Sequence, residues 1–149
     1  MARILIAEDN AEIRALVSNI LSEEGHKVSV AQNGQQALDL MMQDAPDLLV
    51  LDIMMPQVDG YTVLKELKAS GLRDTVKILV LTAKTSESDW VRGYKLGADG
   101  YITKPFDIDE LTNQIDQLLD MSKEQLRVRR EQELDKAQLL SRLESIFDS

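Results

Sequence analysis

The chain has 149 residues, 44% of them apolar, and a formal net charge of −9. This length fits one domain with a single hydrophobic core, and the absence of cysteine excludes a disulfide framework or a thiolate zinc site. No apolar run approaches the roughly 20 residues of a membrane span, so we expect a cytoplasmic protein that does not enter the membrane. Residues 1–121 carry 11 Lys/Arg and 20 Asp/Glu, an acidic balance that disfavours direct binding of nucleic acid.

Five short apolar runs are spaced along residues 1–121. Most are nearly continuous in Ile, Leu and Val, which is typical of strands that are covered on both faces of a sheet. The second run alternates apolar with polar residues, so we predict that it lies at an edge. The runs are residues 3–9, 27–33, 47–52, 77–83 and 100–105.

A segment with apolar residues at helical spacing follows each run. Asn10 is a candidate N-cap of the first helix, and Gly25 ends it. The regular alternation of strand and helix predicts an α/β fold with a doubly wound parallel five-stranded sheet. If the sheet takes the flavodoxin-like (βα)5 form, with strand order 2-1-3-4-5, strands one and three are neighbours.

Polar residues suited to phosphoryl transfer stand at the ends of four runs. Glu8 and Asp9 end the first run, and Asp52 ends the third. Thr82 lies near the end of the fourth run, and Lys104 lies near the end of the fifth. Ligands of doubly wound sheets bind beyond the carboxyl ends of the strands. With strands one and three adjacent, the three carboxylates converge on one pocket.

This combination of side chains predicts magnesium-assisted phosphoryl transfer. Three neighbouring carboxylates repel one another unless a cation joins them, and oxygen ligands without His or Cys favour Mg2+. Asp52 would act as the nucleophile toward a phosphoryl group, while Lys104 and Thr82 would supply charge and a hydroxyl. A lone Asp at a strand end is usually a turn or cap residue, so the hypothesis depends on four strand ends agreeing.

The same residues resemble the receiver domain of bacterial two-component response regulators. The resemblance covers residues 2–121, and four motifs carry it: "ED" at 8–9, "LDIMMPQVDG" at 51–60, "LTA" at 81–83 and "YITKP" at 101–105.

The resemblance implies a metal site and a phosphoacceptor. Asp52 would accept the phosphoryl group and Lys104 would contact it. The Mg2+ ligands would be Glu8, Asp9, Asp52 and the backbone carbonyl of Met54. The donor would be a phosphohistidine of a histidine kinase or phosphotransfer protein. Such a domain catalyses only its own phosphorylation and dephosphorylation, so we do not expect an enzyme with a separate substrate.

The resemblance also implies a conformational switch. Thr82 would move toward the phosphoryl group, and Tyr101 would swing inward as it does so. Ala83 and Lys84 belong to the loop after strand four, and Lys84, like Met54, would tune the phosphoryl lifetime. Pro105 would follow a cis peptide bond.

Residues 122–149 are predicted to form a helical linker after a receiver domain at 1–121. Residues 107–146 contain no Pro or Gly and are rich in helix formers, so we expect helix five to continue into the tail without a break. Leu139, Leu143 and Ile146 keep the heptad register of helix five, but the residues between them do not. A parallel coiled coil and a solvated linker helix therefore remain alternatives.

A coiled coil would lead to an output or sensor domain that this chain lacks. The switch would then act through a homodimer that uses the last helix and the face built from helix four, strand five and helix five, and phosphorylation would either form or rearrange this dimer. The sequence identifies neither the kinase nor the output domain.

Two other functions remain open. An aspartate-nucleophile phosphohydrolase would share the fold, the Mg2+ and the acyl phosphate. Against it, Met54 stands where a DxD pair would place a second Asp, and we find no length for a cap domain. A phosphorylation-independent binding or dimerisation module would be favoured by loss of Asp52, Lys104 or the acidic pair, and all of them are present.

Overall fold

A computed structural model describes residues 1–84 and 86–148. Five parallel strands form one sheet in the order β2-β1-β3-β4-β5, which confirms the predicted flavodoxin-like α/β fold and places β2 at an edge. The elements in chain order are β1 (Arg3–Ala7), α1 (Ala11–Glu23), β2 (Lys27–Ala31), α2 (Gly34–Gln43), β3 (Leu48–Leu51), α3 (Gly60–Ser70), a 3-10 turn (Leu72–Asp74), β4 (Lys77–Thr82), α4 (Glu87–Lys95), β5 (Gly100–Thr103), α5 (Ile108–Asp120) and α6 (Lys123–Asp148).

A hydrophobic layer covers each face of the sheet. Successive strand residues point to opposite faces of the sheet, and all four residues of β3 are buried. Both faces of the sheet are therefore apolar. One layer contains side chains from α2, α3 and α4, and the other contains side chains from α1 and α5. In the part of the chain that the structure describes, no helix combines the length and the apolar character needed to cross a membrane.

The register of the central strands brings their carboxyl ends together. Ala7 of β1 pairs with Leu51 of β3, and the backbone N–H of Asp52 donates to the Ala7 carbonyl at 3.0 Å. On the other side, Leu51 pairs with Val80 of β4. The residues that follow β1 and β3 therefore start from neighbouring points of one edge.

The C-terminal helix is present, but the prediction that helix five continues into it is wrong. α5 ends at Asp120, Met121 is extended (φ −80°, ψ 139°), and α6 begins at Lys123. Ser122 starts the new helix, because its hydroxyl accepts from the Gln125 N–H at 3.1 Å. The Gln125 side chain in turn accepts from the Ser122 N–H at 2.8 Å. This reciprocal pair is a capping box.

α6 turns back and packs antiparallel to α4. Arg130 in α6 pairs with Asp99, which follows α4, at 2.5 Å. Near the other end of α6, Glu144 interacts with Glu87, the first residue of α4. α6 is therefore part of the folded body over much of its length. The division into 1–121 and 122–149 stays a prediction, and Ser149 lies outside the described residues.

The residues of the heptad register are on the outer side of α6. Leu139, Leu143 and Ile146 are 56%, 42% and 67% exposed, whereas Leu126 and Ala137 are buried against the body. The apolar residues of α6 thus serve two surfaces, and the coiled coil stays a prediction.

We expect Ser122→Ala to destabilise the start of α6 by about 0.5–2 kcal/mol, the usual cost of losing an N-cap side chain. Hydrogen exchange of the first turns of α6 measures this directly. Ser145→Ala is the control, because Ser145 is exposed within the same helix and alanine is a good helix former. Equal exchange in the two variants would contradict the role of the capping box.

Candidate functional site

Three carboxylates meet where β1 and β3 end. One oxygen from each of Glu8, Asp9 and Asp52 lies within 4.8 Å of the others. Glu8 and Asp52 are 3% and 4% exposed, whereas Asp9 is exposed. The structure therefore brings together the acidic residues that the sequence predicted for one pocket.

Lys104 bridges the two buried carboxylates. Its Nζ donates to Oδ2 of Asp52 at 2.9 Å and to Oε1 of Glu8. The residue follows β5, and its backbone N–H donates to the Thr82 carbonyl at 2.8 Å. This bond fixes the end of β5 on β4, so the lysine side chain reaches toward β3 from a rigid position.

The pocket changes the proton affinity of its groups. Burial raises the pKa of Glu8 to about 7, and the neighbouring Asp52 adds to this, although the Lys104 ammonium opposes it. Burial also lowers the pKa of Lys104, but its hydrogen bonds to Glu8 and Asp52 outweigh burial and leave that pKa raised. The lysine is thus held as a cation beside Glu8, whose carboxyl group is costly to ionise.

The residues present fit a hard divalent cation. When Glu8, Asp9, Asp52 and Lys104 are all ionised, three negative charges face one positive charge, and the excess is negative. The cluster offers only carboxylate oxygens, which suits Mg2+ better than a softer metal. The Met54 N–H donates to Oδ1 of Asp52 at 2.9 Å, while the role of the Met54 carbonyl as a ligand stays a prediction.

Arg14 supports the acidic loop and was missed by the sequence reasoning. Its guanidinium donates to the backbone carbonyls of Glu8 and Asp9 at 2.8 and 3.3 Å. The Asn10 N–H donates to Oε2 of Glu8, and the Asn10 side chain caps α1 as predicted. These bonds orient the loop that carries two of the three carboxylates. The sequence signal for this role was a basic residue about one turn into α1, close to the acidic pair.

The predicted switch residues meet at the loop after β4. Thr82 is fully buried, and its hydroxyl accepts from the Lys84 N–H at 3.3 Å. The Tyr101 hydroxyl donates to the Lys84 carbonyl at 2.9 Å. Lys84 and Ala83 are exposed, so the backbone of this loop, and not its side chains, connects Thr82 with Tyr101.

The Tyr101 ring also contacts α4. A Cβ at Gly93 would lie 3.2 Å from Cε2 of Tyr101, so glycine lets the ring fit close beneath the helix. The rings of Trp90 and Tyr94 have centroids 6.0 and 6.3 Å from that of Tyr101. Beyond the tyrosine, the Lys104–Pro105 peptide bond is cis, as the resemblance implies.

Comparison with known proteins identifies the family of this arrangement. A family model described as the response regulator receiver domain matches residues 4–116. Response regulator MprA of Mycolicibacterium vanbaalenii is 44% identical over 117 residues, which are 78% of this chain and 50% of that protein. MprA of Mycobacterium tuberculosis strain H37Rv is 43% identical over 121 residues, 81% of this chain and 52% of that protein. The chain thus spans about half the length of these relatives.

Solved structures agree with the sequence comparisons. The receiver domain of the Francisella response regulator 1452 is 34% identical with a TM-score of 0.75, covering 80% of this chain and 97% of that one. The response regulator TrrA of Thermotoga maritima, in complex with Mg2+-BeF, is 35% identical with a TM-score of 0.71, covering 79% and 99%. The chain therefore belongs to the response regulator receiver domain family.

Proposed function

We propose that the chain accepts a phosphoryl group on Asp52 from a phosphohistidine of a histidine kinase or phosphotransfer protein. The observation that supports this best is the environment of Asp52. Its carboxylate is buried at the edge of the sheet, accepts from Lys104, and lies beside Glu8 and Asp9. A divalent cation would balance that excess of negative charge, and together with Lys104 it would offer positive charge to the oxygens of an incoming phosphoryl group.

The chemistry follows from the donors around Asp52. An oxygen of its carboxylate attacks phosphorus, the P–N bond of the donor breaks, and the imidazole leaves with the bonding electrons. Lys104 and the Met54 N–H already contact the two oxygens of Asp52. We propose that Lys104 then donates to the transferred phosphoryl group. Attack of water on the acyl phosphate returns the free carboxylate and inorganic phosphate.

Glu8, Asp9 and Asp52 would hold Mg2+, with the Met54 carbonyl as a further ligand. The metal would supply positive charge against the phosphoryl oxygens. The complex of TrrA with Mg2+-BeF supports the same choice of metal for this related chain.

Thr82 and Tyr101 would change position when Asp52 is phosphorylated, and so shift a two-state equilibrium. Their shared contact with the backbone of Lys84 gives the two side chains a common element to move. The chain would act on its own Asp52 and would turn over no separate substrate.

We also propose that α6 is a transmission linker to an output or sensor domain, and that the phosphorylated chain forms a homodimer. The partner surface would combine α6 with the face of α4, β5 and α5. In the structure α6 packs on α4 of its own chain, so this dimer requires α6 to take another position.

Intact-mass spectrometry should detect a single phosphoryl adduct after incubation with Mg2+ and acetyl phosphate. We expect Asp52→Asn to abolish the adduct, because the nucleophilic oxygen is lost. Asp39→Asn, at an exposed position of α2, should leave it unchanged.

Folded wild-type protein that gives no adduct would contradict self-catalysed phosphorylation and would favour the phosphorylation-independent binding module. Continuous release of phosphate from small phosphate esters would instead favour the phosphohydrolase. An adduct that survives in Asp52→Asn would place the acceptor elsewhere.

Mg2+ should raise the melting temperature, because it binds only the folded site. This effect should grow as pH rises through about 7, where Glu8 loses its proton, since a carboxylate ligand must be ionised to bind metal. Glu8→Gln should weaken the Mg2+ effect and flatten its pH dependence. Glu12→Gln, at an exposed position of α1, is the control. A pH profile in Glu8→Gln equal to that of the wild type would refute this assignment.

A further inference from the structure

An ion pair fastens α6 to the body of the domain. Asp99 is 2% exposed, and one of its carboxylate oxygens accepts from the Ile78 N–H at 2.8 Å. The other oxygen accepts from Arg130 of α6 at 2.5 Å, and the Arg130 side chain is itself only 19% exposed. In the docked position α6 therefore supplies a cation to a buried carboxylate, and departure of α6 would remove this ion pair.

A second contact extends across β5 to α5. The guanidinium of Arg129 donates to Oε1 of Gln114 at 3.2 Å and lies 3.9 Å from the sulfur of Met121. A Cβ at Gly100, the first residue of β5, would lie 3.1 Å from the same Gln114 oxygen. The first turns of α6 thus reach from the end of α4 past β5 to α5, and they occupy part of the face proposed for the dimer.

Apolar residues complete the docked surface. Leu126 is 5% exposed within the layer that contains α5, and Ala137 is 2% exposed. Leu134 packs against the layer that contains Trp90 and Tyr94 of α4. Undocking would expose these apolar side chains to water, which costs free energy. Contact with a second apolar surface would offset that cost.

The predicted switch residue Tyr101 and the docked helix α6 both contact α4. Thr82 and Tyr101 are both hydrogen-bonded to the backbone of Lys84. The Tyr101 ring lies beneath Gly93 and beside Trp90, and α6 packs on this same helix α4. A change in the position of Tyr101 therefore alters a helix on which α6 depends.

A short connection joins α6 to α5. Only Met121 and Ser122 separate it from α5, so a change of backbone angles at two residues moves the whole helix. Arg127 pairs with Glu124 and Glu131 inside α6 at 2.5 and 2.7 Å, which supports the helix without help from the body.

We propose that α6 is an intramolecular latch, that phosphorylation of Asp52 releases it from α4, and that the released helix binds a second copy of this chain. The inference rests on the proposed function. A second copy is the occupant because the inner face of α6 already fits this chain's own α4 surface, and exchange of an identical element is a low-cost route to a dimer. Leu139, Leu143 and Ile146, exposed at heptad spacing, would extend the contact.

The latch can be followed with spin labels, since the chain contains no cysteine. Lys68→Cys on α3 and Ser145→Cys on α6 are both exposed positions and report the position of α6 by pulsed dipolar spectroscopy. The doubly labelled chain is diluted with excess unlabelled protein, so that only distances within one chain are read. We then expect one short distance before phosphorylation and a longer, broader distribution after acetyl phosphate and Mg2+. Mass spectrometry of the same samples gives the phosphorylated fraction.

The outcomes separate the two proposals. A full adduct with an unchanged distance would overturn the latch and leave the proposed function standing. No adduct would overturn both the acceptor chemistry and its control of α6. A longer distance in protein that sediments as a monomer would overturn the second copy as the occupant.

Arg130→Gln tests the latch without phosphorylation. We expect about a tenfold rise in the undocked fraction, on the order of the effect of losing one charge-assisted hydrogen bond, together with a concentration-dependent dimer. Because linkage is reciprocal, phosphorylation should also reach a higher level. Arg127→Gln is the matched control, because this arginine of the same helix pairs within α6. Equal distances and sedimentation in the two variants would refute the role of the Arg130–Asp99 pair.

Discussion

Two buried carboxylates, Glu8 and Asp52, share one ammonium group, that of Lys104, and much of the fold serves to hold these three side chains together. Burying a charged group costs several kcal/mol unless its partners are well placed. The parallel strands meet this requirement, because they are covered on both faces and end in register at one edge. A rigid apolar sheet thus keeps like charges closer together than they would stay in water.

The same edge leads outward to α4. Lys104 is tied to Thr82 through the backbone, and Thr82 shares the Lys84 backbone with Tyr101. Few contacts therefore lie between the Asp52 carboxylate and the helices packed at the surface. Strand ends and the loops that follow them make these contacts. This is a short physical route between a reactive group and a helix that another helix covers.

Local signals were enough for most of the fold and the site. Apolar runs predicted a parallel α/β sheet, and with the flavodoxin-like strand order the residues at their ends brought Glu8, Asp9, Asp52 and Lys104 to one edge. Contacts made by side chains distant in sequence could not be read in this way: Asp99 resembles an ordinary loop residue until α6 lies beside it.

The prediction that helix five continues into α6 failed for a different reason. The absence of Pro and Gly suggested a continuous helix, yet the capping box at Ser122 and Gln125 was legible in the sequence. Helix propensity describes how well a segment stays helical, and it does not exclude a helix end where side chains satisfy the free backbone groups.

Gly93 lowers the intrinsic stability of α4. α4 has nine residues with this glycine inside it, and a glycine within a helix costs roughly 0.5–1 kcal/mol relative to alanine. A helix so short is not stable alone, so α4 owes its order to Tyr101 beneath it and to α6 against it. Local opening of α4 therefore depends on whether Tyr101 and α6 stay in place, and this short helix lies between the carboxylate site and α6.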